Sequence, residues 1–138
     1  MTAIRRGEAS DLNAVAVIQQ ASAGAAHWSV AEYLEYAFLV AVLRGNVAGF
    51  LVSRDVAADE KEILNLAVAP EFRRQGVAKA LLFSCLEGFS GVVILEVRES
   101  NRIARSFYQK LGFQELGRRP NYYSSPDESA IVMKFHSC

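Results

Sequence analysis

Cysteine is scarce in this sequence, and its two copies, Cys85 and Cys138, stand apart from any metal-binding or redox motif. Neither cysteine has a C-x-x-C partner or a histidine at ligand spacing, which argues against a zinc ribbon and a thioredoxin-like dithiol. We therefore predict no metal site. Two isolated thiols also fit a reducing compartment.

Long apolar runs and net charge are also lacking. No run approaches the roughly 20 residues that span a bilayer, and the first residues, MTAIRRGEASD, lack the apolar core of a secretory signal peptide. We therefore expect a cytoplasmic protein without membrane association. The 15 lysines and arginines balance 15 aspartates and glutamates, so net charge gives no support for direct nucleic-acid binding.

Internal repeats and linkers are absent from the 138 residues, of which 51% are hydrophobic. A chain of this length and composition predicts one domain, residues 1–138, with a core of its own. We expect a monomer or a weak homodimer.

The hydrophobic periodicity predicts a mixed sheet covered by helices, in the order β-α-α-β-β-β-α-β-α-β-β. Antiparallel hairpins at both ends flank a central β-α-β crossover. The predicted strands are Ala3–Arg6, Phe38–Leu43, Val47–Val56, Lys61–Val68, Val92–Val97, Phe113–Gly117 and Ala130–Phe135. The predicted helices begin near Ser10 or Asp11, at Ser29 with a capping box to Glu32, at Gly76 and at Asn101.

Two of these elements carry a burial prediction. The apolar run Val92–Val97 is typical of a strand covered on both faces. In the last helix, Ile103, Phe107 and Leu111 are predicted to form the buried side, with Tyr108 beside them.

A basic segment with one glycine, RRQGVA (Arg73–Ala78), lies where the fourth strand gives way to a helix. The first N–H groups of a helix lack intrahelical partners and carry the positive end of the helix dipole, so they bind anions. Gly76 lets an anion approach the backbone without a side chain in the way. The segment therefore predicts an anion site, although a basic helix start without a ligand is the alternative, because neither the Walker pattern nor G-x-G-x-x-G is present.

Two motifs identify a family. NLAVAPEFRRQGVAKALL resembles the acetyl-CoA-binding motif of the GNAT acyltransferases, with Ala78 where many members carry a second glycine. LEVRESNRIARSFYQKLGF resembles their second signature through Asn101, Ala104, Tyr108 and Gly112-Phe113. The segments LNLAVAP, LEVRESN and RRPNYY look like those of the RimI-like N-terminal protein acetyltransferases. The resemblance implies the GNAT fold, an α/β fold whose mixed sheet of about seven strands is flanked by about four helices.

The resemblance also implies acetyl-CoA as the donor and coenzyme A as the product. N–H groups from Arg74 to Lys79 would line the pyrophosphate, with charge added by Arg73, Arg74 and Lys79. The pantetheine arm would run beside Leu64–Val68, which diverges in the family from Val92–Val97, and an N–H near Ala67 or Val68 would polarise the thioester carbonyl. The implied cofactor-binding residues are Leu66, Ala67, Val68, Arg73, Arg74, Gln75, Gly76, Val77, Ala78, Lys79, Asn101 and Tyr108.

Glu96 is a lone carboxylate near the end of an apolar strand. The resemblance implies that it is the general base, acting directly or through water. An N-terminal α-amine, with a pKa near 8 against roughly 10.4 for lysine, is the easier amine to deprotonate. The alternative is a structural ion pair with Arg98 or Arg102.

Tyr108 is the implied general acid for the coenzyme A thiolate, and Asn101 is expected to cap the helix as well as to contact the pantetheine arm. A phenol with a pKa near 10 is a poor acid for the thiolate of a thiol whose pKa is near 8.5. A hydrogen bond to the developing negative charge is therefore the more favourable role. The alternative is a core tyrosine.

The acceptor groove is implied by Tyr122 and Tyr123, in a predicted loop Arg118–Glu128, and by Trp28 on the opposite wall. The two tyrosines have a structural aromatic patch as their alternative. His27 stands where RimI proteins commonly carry proline, and we expect it to be a surface or packing residue.

Three functions are consistent with these residues. The first is acetylation of a protein N-terminus, with a ribosomal protein that begins with alanine as one candidate acceptor. The second is acetylation of a small amine or polyamine, which a strongly acidic acceptor pocket would favour. The third is a non-catalytic acyl-CoA-binding module, which inert residues at 96 and 108 would favour.

Overall fold

The computed structural model describes residues 2–22, 28–123 and 128–138, so that His27 and positions 124–127 of the predicted acceptor loop lie outside the described residues. Its strands are β1 (Thr2–Arg6), β2 (Ala37–Leu43), β3 (Asn46–Ala57), β4 (Glu60–Val68), β5 (Gly91–Arg98), β6 (Gln114–Tyr123) and β7 (Glu128–Ser137). Its α-helices are α1 (Leu12–Ala21), α2 (Val77–Leu86) and α3 (Arg102–Lys110), and short 3₁₀ helices lie at Ala9–Asp11, Val30–Glu35 and Pro70–Phe72. The seven strands are hydrogen-bonded in the order β1-β2-β3-β4-β5-β7-β6. The predicted fold class is confirmed, and so is the order of the elements, except that the second predicted helix is a 3₁₀ helix.

The residues cluster into two compact units, and the first comprises the described residues up to Arg54 together with Leu64–Gly88. In it β2 pairs antiparallel with β1 and β3. Gly49 of β3 is required for close packing, because a Cβ there would lie 2.8 Å from the Ala67 carbonyl oxygen and 3.2 Å from Val77. The largest fully buried side chains of this unit are Tyr33, Phe50, Leu51, Leu81 and Leu82.

The second unit comprises Asp55–Ile63 and the described residues from Phe89 onward. In it β5 pairs parallel with Glu60–Ile63 of β4 and antiparallel with β7, which also pairs with β6. The parallel pairing of β4 with β5 extends to Ile63, which lies opposite Leu95, whereas β4 itself continues to Val68.

Burial in β5 alternates, which corrects the prediction of a strand covered on both faces. Val93, Leu95 and Val97 are buried, and the residues between them are partly exposed. The reason is the antiparallel pairing with β7, since antiparallel strands commonly keep one solvated face.

The predicted buried side of α3 is also wrong at Ile103, which is 87% exposed. The buried residue of this helix is Tyr108, whose ring packs edge-on to Phe113 at 5.2 Å between centroids. This aromatic contact, rather than the aliphatic stripe, sets which side of α3 faces inward.

Neither predicted N-terminal side-chain cap in the first unit forms. Asp11 instead accepts from Arg5 and from the Glu8 N–H at 2.8 Å, which leaves its carboxylate turned away from α1. Ser29 precedes a 3₁₀ helix and makes no side-chain cap, so the capping box with Glu32 is wrong. The predicted loop that begins at Arg118 is wrong as well, because residues as far as Tyr123 belong to β6.

Candidate active site

The start of α2 presents backbone donors around an open glycine. Gly76 is the N-cap residue, in the left-handed conformation with φ 77°, and no side chain caps the helix. A Cβ at this position would meet nothing within 4 Å. The Ala80 N–H donates to the Gly76 carbonyl at 3.0 Å and begins the i to i−4 hydrogen bonds of the helix. The N–H groups before Ala80 therefore have no carbonyl partner within the helix. Gly76 itself therefore puts no side chain between an approaching anion and these N–H groups.

The loop before Gly76 is held in an unusual backbone conformation. Arg74 also has a positive φ, 63°, which is uncommon and unfavourable for a residue with a Cβ. Arg73 Nε donates to the Val68 carbonyl at 3.3 Å and ties the loop to the end of β4. Lys79 places its ammonium group 5.3 Å from the centre of the Phe83 ring. Arg73, Arg74, Gln75 and Lys79 are all exposed.

The last residues of β4 direct alternate N–H groups to its two edges. Ala69 N–H donates to Ala48 of β3 at 2.8 Å, and the Ala67 carbonyl lies against Gly49 of the same strand. Alternation therefore turns the Val68 N–H to the edge opposite β3. Of the two predicted donors to a thioester carbonyl, Val68 is the one with a suitable direction.

A buried polar cluster of Gln19, Tyr33 and Asn65 lies in the first unit, and sequence reasoning missed it. The Tyr33 hydroxyl donates to Gln19 Oε1, and Asn65 Nδ2 donates to both partners at 3.2 and 3.1 Å. Gln19 Nε2 donates to the Trp28 carbonyl at 2.7 Å, and Asn65 Oδ1 accepts from the Leu66 N–H at 3.0 Å. Burial raises the pKa of Tyr33. The cluster thus holds the backbone of two predicted site residues, and its only sequence signal is polar residues among apolar neighbours.

Glu96 pairs with Arg119, a cation that the structural alternative, Arg98 or Arg102, did not name. Arg119 Nη1 lies 2.9 Å from Oε1 and 3.1 Å from Oε2 of Glu96, whose side chain is 19% exposed. The ion pair spans β7, which lies between β5 and β6. Glu96 of β5 and Gly117 of β6 are both opposite Val132 of β7, and Arg119 is two residues after Gly117 on β6. Sequence reasoning gave Arg119 no role.

Two tyrosines of β6 lie beside this pair. The Tyr123 hydroxyl donates to the Glu96 carbonyl at 3.3 Å, and the Arg119 guanidinium lies 4.2 Å from the centre of the Tyr122 ring. Burial, with a further contribution from the Glu96 charge, raises the pKa of Tyr123 to about 12. Tyr123 thus contacts Glu96 directly, and Tyr122 lies against Arg119, the partner of Glu96.

Tyr108 is 5% exposed, between the rings of Phe107 and Phe113 at 5.1 and 5.2 Å. Burial raises the pKa of its phenol well above the ordinary value of 10. Asn101 Oδ1 accepts from the Ala104 N–H at 3.1 Å, which confirms the predicted cap of α3. Tyr108 is therefore a neutral phenol at ordinary pH.

A family model described as the acetyltransferase (GNAT) family matches residues 11–113. The chain belongs to the GNAT family. The [ribosomal protein bS18]-alanine N-acetyltransferase of Escherichia coli K12 is 36% identical over 144 residues, covering 96% of each chain. The protein of the same description from Haemophilus ducreyi is 35% identical over 138 residues, covering 91% of this chain and 94% of its own. The crystal structure of Ard1 from Thermoplasma volcanium superposes with a TM-score of 0.90 at 32% identity, over 99% of this chain and 98% of that one.

Membership of the GNAT family makes this chain an acetyl-CoA-dependent N-acetyltransferase. The predicted residues divide between the two units, with 66–79 and Trp28 in the first and Glu96, Asn101, Tyr108, Tyr122 and Tyr123 in the second. Among the described residues, no helix is long and apolar enough to span a bilayer. In the same part of the chain, no group of three His, Cys, Asp or Glu side chains is arranged to hold a metal ion.

Proposed function

We propose that this GNAT enzyme acetylates the N-terminal α-amine of a protein, by direct transfer from acetyl-CoA. The observation that carries the proposal is the partly buried Glu96 carboxylate, held on one face of the sheet beside Tyr122 and Tyr123. The relatives described as ribosomal protein bS18 alanine N-acetyltransferases support the acceptor class. We further propose a ribosomal protein that begins with alanine as the acceptor.

The donor site in this proposal is the start of α2 together with the end of β4. The N–H groups from Arg74 to Lys79 would hold the pyrophosphate, because the glycine N-cap leaves them uncovered. The Val68 N–H would donate to the thioester carbonyl, where negative charge develops during transfer. When bound, acetyl-CoA supplies the activated acetyl group.

Glu96 and Tyr108 have the two proton roles. Glu96 takes the proton of the attacking α-amine, which at a pKa near 8 is cheaper to deprotonate than lysine by about 3 kcal/mol. Tyr108 donates a hydrogen bond to the departing thiolate. Full proton transfer from a phenol of pKa 10 or more to a thiolate whose thiol has a pKa near 8.5 costs at least about 2 kcal/mol. The hydrogen bond is therefore the main contribution of Tyr108.

The proposal takes residues 1–138 as one GNAT domain, acting in the cytoplasm as a monomer or weak homodimer. Strand β4 supports a single domain, because its residues 60–63 belong to one compact unit and its residues 64–68 to the other.

The test is acetyl transfer to short peptides that differ only in their first residue, with free lysine and spermidine as small-amine acceptors. We expect transfer to peptides that begin with alanine or serine. In Glu96→Gln and Tyr108→Phe, kcat should fall about 10²-fold or more while the dissociation constant of acetyl-CoA changes less than about threefold. Activity on the small amines alone would refute the protein acceptor, and unchanged kcat in both variants would refute the proton roles.

A further inference from the structure

We propose that Arg119 holds the place of the acceptor's ammonium group in the free enzyme and is displaced from Glu96 when the acceptor binds. This inference rests on the proposed function, because it takes Glu96 as the group that meets the α-amine. It gives Arg119 a part in acceptor selection.

The geometry of the ion pair is that of an ammonium ion. A guanidinium commonly meets a carboxylate through two nitrogens in a parallel fork. Here one nitrogen, Nη1 of Arg119, bridges both oxygens of Glu96, at 2.9 and 3.1 Å. A single cationic nitrogen centred on the carboxylate is the arrangement that an α-ammonium group would take.

The neighbouring arginine on the same face shows what a fixed pair looks like. Arg98 is 13% exposed, lies 4.5 Å from the centre of the Tyr123 ring and pairs with Glu128, whose own side chain is 16% exposed. Arg119 is 52% exposed and rests on the exposed ring of Tyr122. Arg98 is therefore held between β5 and β7, whereas Arg119 borders solvent on the exposed side of its ion pair.

Displacement of Arg119 is inexpensive for the same reason. The Arg119 side of the pair is half-exposed, so water solvates the guanidinium when it leaves Glu96. An incoming α-ammonium restores the charge balance of Glu96, so the carboxylate has a cation before and after the exchange. Once acetylated, the acceptor has no cation to offer, and Arg119 returns to Glu96.

The test compares Arg119→Gln with the matched variant Arg118→Gln, which removes the same charge from the adjacent residue. Arg118 pairs with Glu99 at 3.4 Å and is 61% exposed, so it serves as the control for net charge. Calorimetric titration, with coenzyme A present, would measure the dissociation constants of an alanine-starting peptide and of its N-acetylated form.

We expect Arg119→Gln to bind the free-amine peptide about 1.5- to 5-fold more tightly, the range that weak surface ion pairs allow. The N-acetylated peptide should bind equally to all proteins, and Arg119→Lys should behave as the unaltered enzyme. In turnover, the KM for the peptide should fall in Arg119→Gln by the same factor, with the KM for acetyl-CoA unchanged.

Equal or weaker binding of the free-amine peptide to Arg119→Gln would overturn the inference, as would an equal gain in Arg118→Gln or for the acetylated peptide. These outcomes leave the proposed function standing, because the unaltered enzyme still acetylates the peptide. If it neither binds nor acetylates any peptide, the proposed function is refuted and the inference with it.

Discussion

Replacement of Gly76 tests the donor site most sharply, because the structure separates the two effects of a new side chain. Gly76→Glu has room for its side chain, since a Cβ at this position meets nothing within 4 Å. It adds a carboxylate to the helix end that we propose to hold the pyrophosphate. It also places an L-residue at φ 77°, which costs about 1–2 kcal/mol of folding free energy.

The neutral variant Gly76→Gln carries the same backbone cost without the charge. Both variants should lower Tm by about 3–10 °C. A carboxylate about 6 Å from one negative charge is repelled by about 0.7 kcal/mol at the dielectric constant of water and by about 2.8 kcal/mol at an effective value of 20. Gly76→Glu should therefore bind acetyl-CoA about 3- to 100-fold more weakly than Gly76→Gln.

The turn between β2 and β3 supplies a second control. Gly45 has φ 79°, and its Cβ would likewise meet nothing within 4 Å, so Gly45→Glu adds the same charge at the same backbone cost away from α2. Calorimetric titration of acetyl-CoA into the three variants gives the dissociation constants. The reasoning is refuted if Gly76→Glu binds acetyl-CoA as tightly as Gly76→Gln does.

Three further predictions test the packing around the site. Burial raises the pKa of Tyr108, so above pH 10 the unfolded chain loses this proton while the folded chain keeps it, and stability falls as the pH rises. Between pH 10 and 11, the free energy of unfolding measured in urea should fall less steeply in Tyr108→Phe than in the unaltered protein, by up to about 1.4 kcal/mol per pH unit. An equally steep fall in the two proteins would contradict the burial of Tyr108. Gln19→Leu removes the Nε2 donor that lies 2.7 Å from the Trp28 carbonyl, and the free energy of unfolding in the same assay should fall by about 1–3 kcal/mol. No measurable fall would contradict this prediction. Ile103→Ser should change stability by less than about 0.5 kcal/mol, whereas Phe113→Ala, in the core, should cost about 3–5 kcal/mol; a large loss at Ile103 would show that its side is packed.

Local backbone features could be predicted from the sequence because their cause is local. Asn101 caps α3 through its own side chain, and Gly76 begins α2 because only glycine adopts its positive φ at no cost. The hairpin at Arg44-Gly45 belongs to the same class, since both residues have positive φ. These features need no knowledge of distant residues.

The orientation of α3 could not be predicted from periodicity alone. Ile103 and Phe107 lie on one side of α3, and Ala104 and Tyr108 lie about 100° further around the helix. Both sides are partly apolar, so periodicity does not decide which one is buried. The contact of Tyr108 with Phe113 decides between them, and it forms only when the chain turns back after the helix.

The pairing of Glu96 is a long-range feature of the sheet. Its partner Arg119 is 23 residues away and is brought near by the common partner strand β7. The sequence offered Arg98 and Arg102 as nearer cations, but Arg98 pairs with Glu128 on β7. The choice among arginines depends on the extension of β6 to Tyr123, whereas the sequence analysis predicted a loop from Arg118.

The central claim is most directly tested with one peptide that carries two amines, an alanine α-amine at its N-terminus and one internal lysine. Tandem mass spectrometry of the product locates the acetyl group. We predict acetylation at the α-amine, and its loss when that amine is blocked beforehand. Acetyl transfer to the lysine side chain alone would contradict the account.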